Sequence, residues 1–227
     1  MNASSLAVAM NEESGRNGAS RFLIPMLLAA VALIVYPSQQ ATELLQFDRA
    51  RLAGGELWRL ISCHWTHFSS NHLLWDTAVF AVLGVICARK CLNRFCWCLI
   101  ISSLAISAAI WCFLPNMQHY RGLSGLDSAL FTLLAMSLLN DQLRQGQWRS
   151  MLVIAALLIA FVAKIVIEMT TGSTIFADNS AGAYVSVPLA HGLGGVVGLA
   201  CALVGTAKTP RAPRAIGTPR QLRTWQP

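Results

Sequence analysis

The stretch Arg121-Gly122-Leu123-Ser124-Gly125-Leu126-Asp127-Ser128-Ala129-Leu130-Phe131 changes character part-way along. A polar loop gives way to an apolar run, and one serine stands between two close glycines, Gly122 and Gly125. Small residues in apolar segments usually serve close helix packing, yet a serine at a helix start is also a place for a nucleophile. Ser124 is the candidate nucleophile. What decides between the two readings is the company that the rest of the chain brings to the same depth.

Composition sets the surroundings of that stretch. Hydrophobic residues make up 55% of the 227, charged residues 12%, and mean hydropathy is +0.54. This describes membrane-length apolar runs, because a water-soluble core needs a charged surface that such a chain cannot supply. An all-α polytopic membrane protein is expected. The net charge of +7 sits in loops and toward the C-terminus, which fits membrane orientation, and no nucleic-acid-binding pattern accompanies it. The cysteines, Cys63, Cys87, Cys91, Cys96, Cys98, Cys112 and Cys201, lack the paired spacing of a zinc site or a secreted disulfide framework. They read as reduced packing residues, and no metal or other cofactor is expected.

Residues 1 to about 20 are rich in Asn, Ser, Gly and Glu and read as a disordered tail. Residues 21–206 read as one membrane domain, and 207–227, rich in Pro, Arg and Thr, as a flexible basic tail near anionic headgroups. Six spans are expected in a bundle, over residues 22–36, 70–88, 95–114, 123–139, 151–169 and 184–206. At ~1.5 Å per residue the longer runs cross a hydrocarbon core of ~30 Å. A long mixed-charge connection, 37–69, separates the first two, and its Trp58 and Trp65 suit the headgroup layer. Twelve Lys and Arg residues fall on one side of this topology, and Arg49, Arg51, Arg59 and Arg121 on the other. Positive residues favour the inside, so both termini are expected in the cytoplasm, and spans two, four and six start outside.

Ionisable groups inside spans are costly and default to functional hypotheses. His67, His72 and Asp76 lie at the outer end of span two, the last two four apart on one helical face. His191 lies shallowly in span six, and Lys164 and Glu168, four apart on span five, can neutralise one another. With spans two, four and six all starting outside, His72, Ser124 and His191 fall at a similar depth. Span four is short, so its start is expected to be recessed and reachable by water. A serine hydroxyl becomes nucleophilic when an imidazole takes its proton, and the developing oxyanion needs preorganised donors. His191 suits the base, and the Ser124 backbone N–H with the His72 side chain suits the donors. Plainer readings stand beside these: His191 as a hydrogen-bonded core histidine, Gly194 and Gly198 as a close-approach pair, and His72 with Asp76 as a lock within span two. His64 and His119 lie nearer the aqueous loop and are expected to be solvated.

The pattern resembles the rhomboid family of intramembrane serine proteases, from about residue 45 to residue 205. The family's Gly-x-Ser-Gly motif reads Gly122-Leu123-Ser124-Gly125, and its Ala-His-x-x-Gly-x-x-x-Gly motif reads Ala190-His191 with Gly194 and Gly198. Its Trp-Arg pair in the first external loop reads Trp58-Arg59, and its histidine-bearing second span reads His67-Phe68-Ser69-Ser70-Asn71-His72. The resemblance implies a dyad of Ser124 as nucleophile and His191 as base, with His72 as an oxyanion donor. The family's usual second side-chain donor, an asparagine one turn later, is Asp76 here, and an ionised carboxylate only accepts.

Finer features are similar to the rhombosortase branch: Leu45-Gln46-Phe47-Asp48-Arg49 leading to Gly55, the run His72-Leu73-Leu74-Trp75-Asp76, and Lys164 with Glu168. That branch is associated in Gram-negative bacteria with exported proteins ending in a glycine-glycine motif, a hydrophobic helix and a basic tail. The implied substrate is such a C-terminal anchor in the lipid of the inner membrane, cut near its periplasmic face. Two rivals use the same residues: a rhomboid-like scaffold that binds spans without cutting, and a small transporter with Asp76, Lys164, Glu168 and His191 as a proton path.

Overall fold

The fold comes from a computed structural model, which describes residues 3–171 and 187–206, with side chains from 18 to 171 and from 187 to 204. The expectations for 207–227 and for the start of the last span, 184–186, lie outside the described residues. α1 (Ala3–Val35) is followed by short pieces, α2 (Gln39–Leu45), β1 (Phe47–Asp48), α3 (Arg49–Ala53), α4 (Arg59–Ser62) and a tight turn at Cys63–Trp65. Then come α5 (Ser70–Phe113), β2 (His119–Tyr120), α6 (Ser124–Gln145), α7 (Trp148–Thr171) and α8 (Pro188–Thr206).

Several helix starts are written locally. The first N–H groups of a helix have no partner within it, and Ser38, Asp48 and Ser69 accept them at the heads of α2, α3 and α5, from Ala41 (3.2 Å), Arg51 (3.1 Å) and His72 (3.2 Å). α6 ends at Gly146, whose φ of +69° turns the chain directly into α7.

The structure adds to the sequence reading in three places. α1 is helical from Ala3, across residues that composition assigns to a tail; Ala, Met, Glu and Leu favour helix, and no proline interrupts them before Pro25. Spans two and three are the two arms of α5, separated at Cys91, whose φ of −162° and ψ of 100° are extended. Residues 89–94 contain neither Gly nor Pro, so helix persists up to the one residue that reverses the chain. The two arms of α5 fold back on each other, with Phe80 and Phe95 ring centres 6.5 Å apart.

Thirdly, among the described residues three helices, Gly18–Val35 within α1, α5 and α7, are long and apolar enough to cross a membrane; the apolar part of α8, Pro188–Val204, is shorter, and α6 is not among them. The burial of α6 explains this. Gly125 to Leu130 and Thr132 to Ala135 are buried on every side of the helix, and Ser128 and Thr132 donate to carbonyls one turn back, at 2.8 and 3.0 Å. A helix enclosed by protein can carry hydroxyls that lipid would not accept. The coat around it is apolar: Leu27, Ile34, Val82, Leu152, Ile159 and Val204 are all exposed. The chain is an integral membrane protein.

Basic residues gather at one end of the bundle. Lys90 Nζ lies 2.7 Å from Asp141 Oδ2, which joins the Cys91 reversal to the far end of α6, the end that carries Arg144. Asp76 is about 22 Å from that reversal along the first arm of α5. α6 and α8 meet backbone to backbone: a Cβ at Gly194 would run into the Gly125 carbonyl oxygen, and one at Gly198 into that of Ala129. Gly198→Val is therefore expected to force α8 off α6 and to cost roughly 1–3 kcal/mol or more. Thermal unfolding of the purified protein in detergent measures this as a lower midpoint.

Candidate active site

The site begins with the connection between α1 and α5. Arg59, fully buried, donates to the carbonyls of Glu43 (2.7 Å) and Gln46 (2.8 Å) and pairs with Glu56 (2.7 Å). Trp58 Nε1 donates to the Leu44 carbonyl at 3.2 Å, so the Trp58-Arg59 pair pins α2. Trp65 is tied inward as well, donating to the Leu28 carbonyl at 2.9 Å. Gln46 then accepts from Arg121 Nε at 2.8 Å, and β1 pairs antiparallel with β2 through Phe47 and Tyr120. These links hold the 121–123 loop against the head of α5. Gly122 has a φ of +127°, and a Cβ there would lie 2.8 Å from the His72 ring, so only glycine fits.

Asp76 is the centre of the loop's far side. Its Oδ2 accepts the backbone N–H groups of Leu123 (2.9 Å) and Ser124 (3.1 Å). His72 Nε2 lies 3.1 Å and His67 Nε2 3.3 Å from the same oxygen. Leu123, at the cap position of α6, offers no side-chain acceptor, so Asp76 caps α6 from another helix. The Ser124 N–H and His72, read from sequence as oxyanion donors, are both turned onto Asp76 in this structure.

Ser124 is the half-buried first residue of α6, and His191 sits in the first turn of α8, 8% exposed. Their sequence neighbours touch, since a Cβ on Gly125 would lie 3.2 Å from the Ala190 carbonyl oxygen. Gly125 and Gly194 thus act in packing, removing side chains from between the two helix heads. Ser124 Oγ and the His191 ring are not hydrogen-bonded to each other in this structure. His191 Nδ1 instead lies 2.9 Å from Glu168 Oε2, whose other oxygen is 2.8 Å from Lys164 Nζ. Glu168 and Lys164 pair as their spacing suggested, and the pair also reaches His191.

The family model described as Rhomboid domain matches residues 54–208, which include Asp76, Ser124, Glu168 and His191. The chain belongs to the rhomboid family. No curated protein matches it. Rhomboids are generally intramembrane serine proteases acting on transmembrane proteins, and some members are inactive.

Other residues of this rhomboid fall differently from expectation. His64 is fully buried, not solvated, with Nε2 3.2 Å from the Ser103 carbonyl, because the Cys63–Trp65 turn packs against the second arm of α5. Burial pushes its pKa down to about 4. His119, by contrast, is exposed as expected and lies 3.8 Å from Asp48. Sequence reasoning passed over Asp127, 8% exposed, whose Oδ1 has no hydrogen-bond partner among the described residues. An acid in the first turn of α6, where the helix dipole favours negative charge, was its available signal. It also missed the Gln46–Arg121 bond, which joins residues far apart in the chain.

Asp76→Ala is expected to destabilise the fold by about 1–2 kcal/mol, the scale of a lost cap, and Asp76→Asn by less, because the amide oxygen still accepts. Thermal unfolding of both variants gives the order. For His64, the unfolded chain takes up a proton near its ordinary value of 6.5 while the folded chain resists until about 4. Its contribution is therefore present above pH 6.5 and lost as pH falls toward 4, up to ~3 kcal/mol. His64→Gln is expected to show a smaller drop in unfolding midpoint between neutral and acid pH than the wild type.

Proposed function

We propose that this rhomboid is an active serine endopeptidase in which Ser124 attacks and His191 takes and returns the proton. The observation that supports the reading is the close approach of the α6 and α8 heads, where a Cβ on Gly125, next to Ser124, would lie 3.2 Å from the carbonyl oxygen of Ala190, next to His191. Six crossings with the basic end in the cytoplasm, α5 counting as two, would open the site on the periplasmic side, in line with the positive-inside rule. The half-exposure of Ser124 is consistent with the water that hydrolysis needs.

Attack on a scissile carbonyl turns its oxygen into an anion, which requires donors already in place. The N–H groups of Leu123 and Ser124 and Nε2 of His72 converge on one point, and that point is held by Asp76 Oδ2. A substrate carbonyl oxygen takes the place of Oδ2 in this reading, and the Asp76 side chain swings aside as it enters. The substrates are transmembrane C-terminal anchors of exported proteins, glycine-glycine sorting tails above all, as the rhombosortase-like features imply. Glycines leave the backbone open to the extended conformation that attack demands.

One observation favours a second reading. Asp76 occupies the donors and Ser124 is not bonded to His191, as suits a rhomboid scaffold that holds spans without cutting. A fluorophosphonate probe separates the two. Wild-type protein is expected to label, Ser124→Ala not at all, and His191→Ala more slowly by several powers of ten. Asp76→Asn, whose amide can donate, is expected to label faster than wild type. A wild-type protein that never labels supports the scaffold, and a membrane reporter cut only when its tail carries the glycine pair supports the substrate class.

A further inference from the structure

α7 is almost wholly a surface helix. Of its residues only Ile154 and Glu168 are buried, while Leu152, Val153, Leu157, Ile159, Val162, Val166, Ile167 and Met169 are exposed. An acid and a lysine four apart can neutralise each other anywhere along such a helix. Here the carboxylate is the buried partner, its side chain 2% exposed, while Lys164 is 21% exposed. Burying a carboxylate is costly unless its lone pairs are used. One oxygen takes the Lys164 ammonium at 2.8 Å and the other faces His191 Nδ1 at 2.9 Å, so self-neutralisation accounts for only half of the arrangement.

We infer that Glu168 is a positioning residue for His191, making a Ser124–His191–Glu168 series drawn from α6, α8 and α7; this rests on the protease reading of Ser124 and His191. An ionised carboxylate can only accept, so the short contact requires His191 to carry its proton on Nδ1. Lys164 Nζ is farther from that nitrogen, at 3.4 Å, and serves to hold Glu168 as the anion. With Nδ1 as donor, Nε2 has a free lone pair and is the nitrogen that can take a proton. As the Ser124 Oγ–C bond forms on the scissile carbon, the hydroxyl proton passes to Nε2 and the imidazolium faces Glu168. When the C–N bond breaks, that proton leaves on the amine. Water then gives a proton to Nε2 as its oxygen bonds to the acyl carbon, and the same proton returns to Ser124 Oγ as the ester breaks. Glu168 orients the ring through each step and keeps its own charge.

Glu168→Gln in the full-length protein in detergent is the test, read in two ways. Its fluorophosphonate labelling rate is expected to fall roughly 10- to 1000-fold, and reporter cleavage to lose kcat with KM little changed. Independently, 15N spectra of histidine-labelled protein, with the His191 signals assigned by their loss in His191→Ala, are expected to show the Nδ1–H tautomer in wild type. In Glu168→Gln the same signals move toward the Nε2–H form. Should the single variant fail to fold, Lys164→Gln combined with Glu168→Gln removes both charges together and leaves no unpaired ion, with the same loss expected. Folded Glu168→Gln that labels at the wild-type rate with an unchanged tautomer overturns this inference and leaves the protease reading intact. Wild-type protein that does not label overturns that reading, while the nitrogen spectra still decide whether Glu168 sets the ring.

Discussion

The head of α6 lies inside the protein, and a buried helix head must find acceptors for N–H groups that its own turns cannot satisfy. Its cap position is Leu123, which has none to give, and so the acceptor comes from Asp76 on α5. Much of the site follows from this. Because a single oxygen takes both N–H groups, the 122–124 backbone must come right up to the first turns of α5, and that approach is possible only with glycine at 122. Because the carboxylate is buried, histidines stand against it from two directions. The connection pinned by Arg59, Gln46 and Arg121 keeps the loop at that distance.

The same economy of side chains sets the second half of the site. α8 closes on α6 through Gly194 and Gly198, and Gly125 answers from the other side. Without an aqueous phase to drive helices together, such close approach is what makes packing favourable in a membrane. The first half of α6 is enclosed by protein, and carries a serine at its first residue and an aspartate in its first turn.

The legible parts of the chain were those that repeat along one helix. Apolar runs marked the membrane helices, spacing put His72 with Asp76 and Lys164 with Glu168, and the glycines beside Ser124 and His191 marked a close approach. Contacts across the chain were not legible. Nothing near Asp76 says that it serves a helix nearly fifty residues on, and nothing in Cys63-His64-Trp65 says that Ser103 waits for the ring. The reversal falls between the second and third apolar runs, as expected, but its residues favour helix on both sides, so the fold and not local propensity places the break at Cys91. α6 was the opposite case, its modest hydropathy explained once its neighbours are known.

α7 holds the bundle by little besides Ile154, Phe161 against Phe131 and Gly195, and Glu168. The bond from Glu168 to His191 therefore couples the seating of a loosely packed helix to the protonation pattern of a ring in the centre. Coupling of this kind is reciprocal. A displacement of α7 releases the ring, and any event that puts positive charge on the ring draws α7 inward, so the seating of this helix and the charge of the ring bias each other.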